Sequence, residues 1–402
     1  MSAIGGIADM KGREVSFSEL DRMRASMSLR GRKRSNAYIG GSVDMIYNSS
    51  LSNAFEEDED VQPAVFERGG YSYALSIDAE ELHSHAVFES YRICGIDMLG
   101  SLSGGFSLAL YDGERKILLL ARDKYGKKPL FYQIHDGKIY FSSELKGIFS
   151  AIEQRVNVSR EMLSLHLSAP MGVYRATNIF CDVCEVLAGE CVIFSEFGMS
   201  RFRYRENRVQ RPNKKEFRGK HKELLRAYPI NDADKIGETL NEALIAFDYP
   251  QFDVDMPSLC ELFELCARKG KNLIRFEDST RNKSLSYAYE RQDRLGALFG
   301  VSAVGSALQR ECDTEAEKYA ISSFLKEKFF SLDVSAMSFL AAITGKKKLE
   351  YLIRRFESEK NKDTEAEIRI LGMLCQCVEW AQSRELLIKN SDEDVQSALS
   401  MM

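Results

Sequence analysis

Between residues 101 and 146 apolar and polar positions alternate in short runs broken by turn residues. After Gly104-Gly105, Phe106, Leu108 and Leu110 alternate with Ser107, Ala109 and Tyr111, the period of a half-buried strand. Asp112-Gly113 predicts a tight hairpin, Ile117 to Ala121 the return strand, and Asp136-Gly137 a second hairpin. Three strands joined by two Asp-Gly turns predict an antiparallel sheet. Residues 2–9 predict another short strand with glycines that allow close backbone approach, 38–55 further strands, and Tyr71 to Asp78 an alternating one. Helical spacing appears at 17–29, where Leu20, Met23 and Met27 share a face behind Ser16 and Ser18 start signals. A helix is also expected over 85–100.

From residue 232 the period changes. Ile236, Leu240, Ala243, Leu244 and Phe247 keep helical spacing, Leu259 to Ala267 predicts a second helix, and Lys271 to Phe276 a strand. Residues 284–402 predict several amphipathic helices. Between the two halves, residues 205–226 carry nine Lys/Arg and few large apolar side chains, the best linker candidate. The expected division is therefore 1–204, a charged linker over 205–231, and a helical region over 232–402.

The chain has 402 residues, 44% hydrophobic and 29% charged, which suits a globular protein with two ordinary cores. A net charge of −5 gives no general attraction to nucleic acid or an anionic membrane. The basic run Arg30-Gly31-Arg32-Lys33-Arg34 is too short to alter that reading. No apolar run approaches the roughly 20 residues of a membrane span, and residues 1–30 lack a secretory pattern. A cytoplasmic protein whose nine cysteines are thiols is expected. Cys181-x-x-Cys184 with Cys191 nearby lacks the matching pair of a zinc site, so no metal is expected.

The ordered blocks Leu102-x-Gly104-x-Phe106 to Asp112, Ala121 to Tyr132, and Phe141 to Gly147 resemble the N-terminal glutaminase domain of the asparagine synthetase family, a class II glutamine amidotransferase. The resemblance implies an α/β (α+β) fold: a four-layer αββα N-terminal-nucleophile-type domain over 1–204, followed by a reduced, mostly helical relic of the ATP-pyrophosphatase synthetase domain. Arg30-Gly31 matches the start of the family's R-G-P-D turn, with Arg32-Lys33 in place of Pro-Asp.

At the positions that the resemblance makes chemical, this chain departs from the pattern. Ser2 stands where the family has its N-terminal Cys nucleophile, and a hydroxyl needs an activating base that a thiol needs far less. Tyr47 to Ser52, including Ser49, replaces the motif whose Arg holds the substrate carboxylate; hydroxyls are weak substitutes for a guanidinium fork. The acidic run Glu56 to Asp60 is unfavourable beside an anionic substrate. Ser76-Ile77-Asp78 replaces the Asn-Gly pair of the oxyanion hole, where one lost donor costs a hydrolase about 10²–10³ in rate. The acid that binds the substrate amine falls near His83 to His85, which read as helix surface. Four changes at one site imply that glutamine hydrolysis is lost. The alternative is altered chemistry: a Ser2 N-terminal nucleophile, or amide formation from free ammonia.

In the second half, the resemblance is to a fragment. Leu102-Ser103-Gly104-Gly105 mimics the family's pyrophosphate loop, but it precedes a strand and lacks the following Asp, so it reads as structural. Glu277 to Asn282, where the acidic loop should be, has no Gly. The family uses ATP and magnesium; no cofactor is expected here. A homodimer, or pairing with an intact synthetase subunit, is the partner expectation by analogy.

Overall fold

A computed structural model describes residues 2–31, 34–49, 61–79, 82–153, 156–168, 179–204, 233–270, 273–275, 285–299, 301–304, 315–358, 363–384 and 386–389. The strands are β1 (Ser2–Ala8), β2 (Arg34–Ile39), β3 (Val43–Ser49), β4 (Ala64–Arg68), β5 (Tyr71–Ala79), β6 (Phe106–Asp112), β7 (Ile117–Arg122), β8 (Phe131–His135), β9 (Lys138–Ser142), β10 (Val156–Ser159), β11 (Val183–Glu185), β12 (Glu190–Ser195), β13 (Gly198–Arg203), β14 (Leu273–Arg275), β15 (Ser302–Val304) and β16 (Leu386–Lys389). The helices are α1 (Phe17–Ser26), α2 (Ser84–Cys94), α3 (Leu145–Ile152), α4 (Arg160–Ser168), α5 (Ala233–Phe247), α6 (Met256–Arg268), α7 (Leu285–Phe299), α8 (Glu315–Phe330), α9 (Val334–Thr344), α10 (Lys346–Glu357) and α11 (Glu365–Ser383).

The chain forms two compact units that interleave in sequence. One comprises residues 1–154, 183–214 and 270–307; the other comprises 155–182, 215–269 and 308–402. The contiguous division expected from the sequence differs from this at both 155–182 and 270–307.

The first unit is a sandwich of two six-stranded sheets, ordered β11-β8-β9-β1-β3-β2 and β13-β12-β7-β6-β5-β4. Strand alternation sets the layers. Ile4, Ala8, Val43 and Met45 of one sheet meet Ala74, Ala109, Leu118, Leu120 and Val192 of the other in a dry core. Leu75, Ile77 and Leu108 face the opposite way and pack with Val87, Phe88 and Tyr91 of α2. Helices α1 and α3 cover the outer face of the β1 sheet; a Cβ at Gly5 would meet Met23 of α1 at 2.9 Å and Met27, just after α1, at 3.0 Å. The order of layers is αββα, with antiparallel sheets throughout this sandwich.

Three local expectations are corrected. Asp112-Gly113 does not make a two-residue hairpin: Asp112 pairs with Ile117 across a longer loop, and its carboxylate accepts the Arg115 N–H at 2.9 Å. Asp136-Gly137 does make the tight turn, both residues at positive φ (49° and 77°) between the paired His135 and Lys138. The strands joined by these turns are also not one sheet. The β6–β7 hairpin lies in one sheet and β8–β9 in the other, because the chain crosses between layers over 123–130. Finally, the helix expected over 85–100 stops at Cys94, where Gly95 takes φ 58° and a 3-10 helix follows to Gly100.

In the second unit, helices dominate. Ile236, Leu240, Phe247, Phe252, Ile321, Leu325, Phe339, Leu371 and Trp380 are buried. The Trp380 indole N–H donates to the Asp248 carbonyl at 2.9 Å. A capping box starts α11, with Thr364 and Glu367 satisfying each other's backbone N–H groups. A parallel β10–β16 pair completes the described strands of this unit.

Candidate functional site

At one edge of the sandwich the facing positions of the sheets turn polar. Strand alternation that puts Ile4 and Ala8 into the core puts Ser2 on the same side of β1. It likewise aligns Tyr47 and Ser49 with Met45 on β3, and Ser76 and Asp78 with Ala74 on β5. Ser2 lies opposite Ser49, and Asp78 opposite Ser107. The four sequence-predicted positions therefore share one edge and one side, and all are buried.

Ser2 Oγ is 2.8 Å from the Tyr47 hydroxyl. Ser76 Oγ and Ser107 Oγ are fully buried and have no hydrogen-bond partner among the described residues. His83, just before α2, and His85, in its first turn, are exposed. Arg32, Lys33, Ser50 to Ser52 and Glu56 to Asp60 lie outside the described residues, as do the 205–231 linker and Glu277 to Asn282.

Of the charges that fill the site, the sequence singled out only Asp78. Arg30 follows α1 and is held by the next residue: Gly31 has φ 105°, and a Cβ there would lie 2.4 Å from the Asn48 backbone. Only glycine lets the chain pass this close to β3. Arg30 Nε donates to the Ser2 carbonyl at 2.7 Å, and its Nη2 donates to Asp78 Oδ2 at 2.9 Å and to Asp293 Oδ2. Lys128 Nζ donates to Asp293 Oδ1 at 2.7 Å and lies 3.8 Å from Asp78 Oδ1. Asp293 sits on α7, so both oxygens of its carboxylate are taken by cations from the first 130 residues of the chain. Next to it, the Arg294 guanidinium lies 5.1 Å from the centre of the Phe131 ring.

Burial opposes charge on Arg30, but Asp293, Asp78 and Glu144 outweigh it and hold the guanidinium more firmly protonated than usual. Burial likewise pushes Asp293 up, and Arg30 and Lys128 reverse this, leaving its carboxyl well below the usual range. Arg30, Lys128, Asp78 and Asp293 thus form a buried network of opposite charges.

A second buried charge cluster lies along 122–130, within the blocks that carry the family resemblance. Arg122 donates to Glu185 at 2.5 Å, the Gly126 carbonyl at 2.8 Å and the Val186 carbonyl at 3.2 Å. Asp123 accepts backbone N–H groups of Tyr125, Lys127 and Phe106 at 2.8, 2.8 and 3.2 Å. These bonds fix the crossing between sheets. The Gly104-Gly105 turn enters β6 as expected, with Gly104 at φ 84°. Cys181 is exposed and Cys184 half-buried, and among the described residues no group of three or more His, Cys, Asp or Glu side chains could hold a metal ion. No helix among them is long and apolar enough to cross a membrane.

Residues 1–205 match the glutamine amidotransferase domain family. Similar proteins include asparagine synthetase [glutamine-hydrolyzing] 3 of Bacillus subtilis (strain 168), 27% identical over 234 residues, which are 51% of this chain and 36% of that protein. A putative asparagine synthetase [glutamine-hydrolyzing] 2 of Methanocaldococcus jannaschii is 22% identical over 216 residues, 44% of this chain and 42% of that one. The matched segments thus span less than half the length of these relatives. Among solved structures, the glutamine phosphoribosylpyrophosphate amidotransferase of B. subtilis aligns with a TM-score of 0.36 and 13% identity, over 75% of this chain and 65% of its own.

Proposed function

The chain belongs to the glutamine amidotransferase domain family and is related to the asparagine synthetases, and we propose that it is a member without glutaminase or ATP-dependent amide-forming activity, acting as a binding, scaffold or regulatory partner. The observation that carries this reading is the charge balance of the site. The buried cations beside Ser2 are already engaged by the chain's own carboxylates, Asp78 and Asp293. The Ser2 hydroxyl in turn meets a phenol rather than a strong base. The partner is a second copy of the chain or an intact synthetase subunit, in the cytoplasm, with no nucleotide or magnesium required.

Incubating the full chain with glutamine, with and without aspartate and magnesium-ATP, tests it. No glutamate or asparagine should form above a no-enzyme control. Met1 found retained by mass spectrometry of the N-terminus would exclude Ser2 as an N-terminal nucleophile. Glutamate release that disappears in Ser2→Ala would overturn the proposal in favour of a serine nucleophile. Ser2-independent asparagine formation from ammonia would overturn it in favour of a ligase.

A further inference from the structure

Asp293 makes the contacts of a bound carboxylate. One oxygen takes Arg30 and the other Lys128. It reaches the site from 263 residues away from Arg30 and 165 away from Lys128. The fit around it is incomplete. Arg30 Nη1, Ser76 Oγ, Ser107 Oγ and both side-chain polar atoms of Gln292, the neighbour of Asp293, are buried without a hydrogen-bond partner among the described residues. A buried polar atom left unpaired is costly. The site therefore offers more hydrogen-bonding groups than Asp293 uses.

We infer that Arg30 and Lys128 form a carboxylate-binding pocket, that Asp293 is its resident ligand, and that α7 is a latch which a small free carboxylate displaces. This goes beyond the non-catalytic reading: an active enzyme could be gated by the same helix. The ligand class is set by the two cations and by the flanking hydroxyls. It is a compact molecule with one carboxylate for Arg30 and Lys128 and polar groups for Ser76 and Ser107.

The test uses the full chain and sodium acetate as probe, against sodium chloride at matched ionic strength. Asp293→Ala removes the resident carboxylate and should lower Tm by about 5 °C or more. Acetate, not chloride, should restore part of that loss, and Lys128→Met in the same background should abolish the difference. If Asp293→Ala does not fold, Asp293→Asn replaces it, read by hydrogen exchange: amides of residues 285–299 should exchange about tenfold faster or more than in the wild type, with β5 and β6 unchanged. In the wild type, acetate should speed exchange over 285–299 where chloride does not. Equal effects of acetate and chloride on Asp293→Ala, or unaltered exchange over 285–299 in Asp293→Asn, would overturn the latch. Glutamate release by the wild type would overturn the non-catalytic reading and leave the latch standing.

Discussion

Two buried charge clusters lie in the same unit, and they are built on opposite plans. Around Arg122 and Asp123 most partners are backbone groups: Gly126, Tyr125 and Lys127 of the crossing itself, with the Val186 carbonyl and the Phe106 N–H from the strands' ends. Those partners cannot leave without unfolding the loop. Around Arg30 and Lys128 the main partners are side chains, and Asp293 arrives on a helix from a distant part of the chain. Buried charge is expensive in both places. One cluster spends that cost on a fixed crossing between sheets, and the other on a contact that a competing carboxylate could replace.

The sharpest way to break this comparison is Arg122→Met. It strands the Glu185 carboxylate and two buried carbonyls, so stability in urea should fall by about 3–5 kcal/mol. A loss below about 1 kcal/mol would show that the crossing does not depend on this cluster. Gly31→Ala comes next. It forces a Cβ against the Asn48 backbone at positive φ, and about 2–3 kcal/mol should be lost. Unlike Arg122→Met, it should also speed exchange over 285–299, because Arg30 is displaced with it.

pH separates the clusters by sign. Burial raises the Asp123 carboxyl against the pull of Arg122 and its N–H donors. The native state then binds a proton more readily than the unfolded state, so this group's contribution to stability falls as pH rises from about 4 through its folded value. Asp293 is lowered, so its contribution is complete above about 4 and lost as pH falls toward its folded value. Denaturant titrations across the acid range should show Asp293→Asn losing a stability gain with rising pH, and Asp123→Asn losing a decline. Slopes of the same sign would erase the distinction. In the helical unit, burial pushes His166 down to about 4 while its Nε2 bonds the Pro250 carbonyl. His166→Gln should therefore remove a fall in stability, up to about 3 kcal/mol, as pH drops from about 6.5 to 4.

The smallest effect is expected at Ser2. Ser2→Ala loses one hydrogen bond to Tyr47, about 1 kcal/mol in a melt, and changes nothing at the Asp293 seat. A larger loss would mean that the hydroxyl helps to hold the network.

Much of the sandwich was legible because it rests on local pattern. Period-two alternation gives β5 and β6, the apolar run Ile117 to Ala121 gives β7, and Asp136-Gly137 gives a turn whose positive φ angles those residues tolerate. Ser2, Ser49, Ser76 and Asp78 could be picked out by their place in ordered motifs, and the structure brings them to one edge. The clusters were less legible. In the sequence Arg30 is one residue of a short basic run, and Lys128 one residue of the blocks that carry the family resemblance. The Asp112 loop was misread because a capping bond from Asp112 to Arg115 competes with the two-residue turn.

By itself, then, the sequence determined which strands and turns form, because side-chain alternation and turn chemistry act over a few residues. It also placed Ser2, Ser49, Ser76 and Asp78 at definite positions of ordered blocks that resemble the family's. Only the tertiary structure decided that α7 belongs to the same compact unit as the sandwich and that Asp293 lies between Arg30 and Lys128. A buried ion pair depends on distance in space and on the exclusion of water. Neither leaves a trace in the order of residues when the partners stand 263 positions apart.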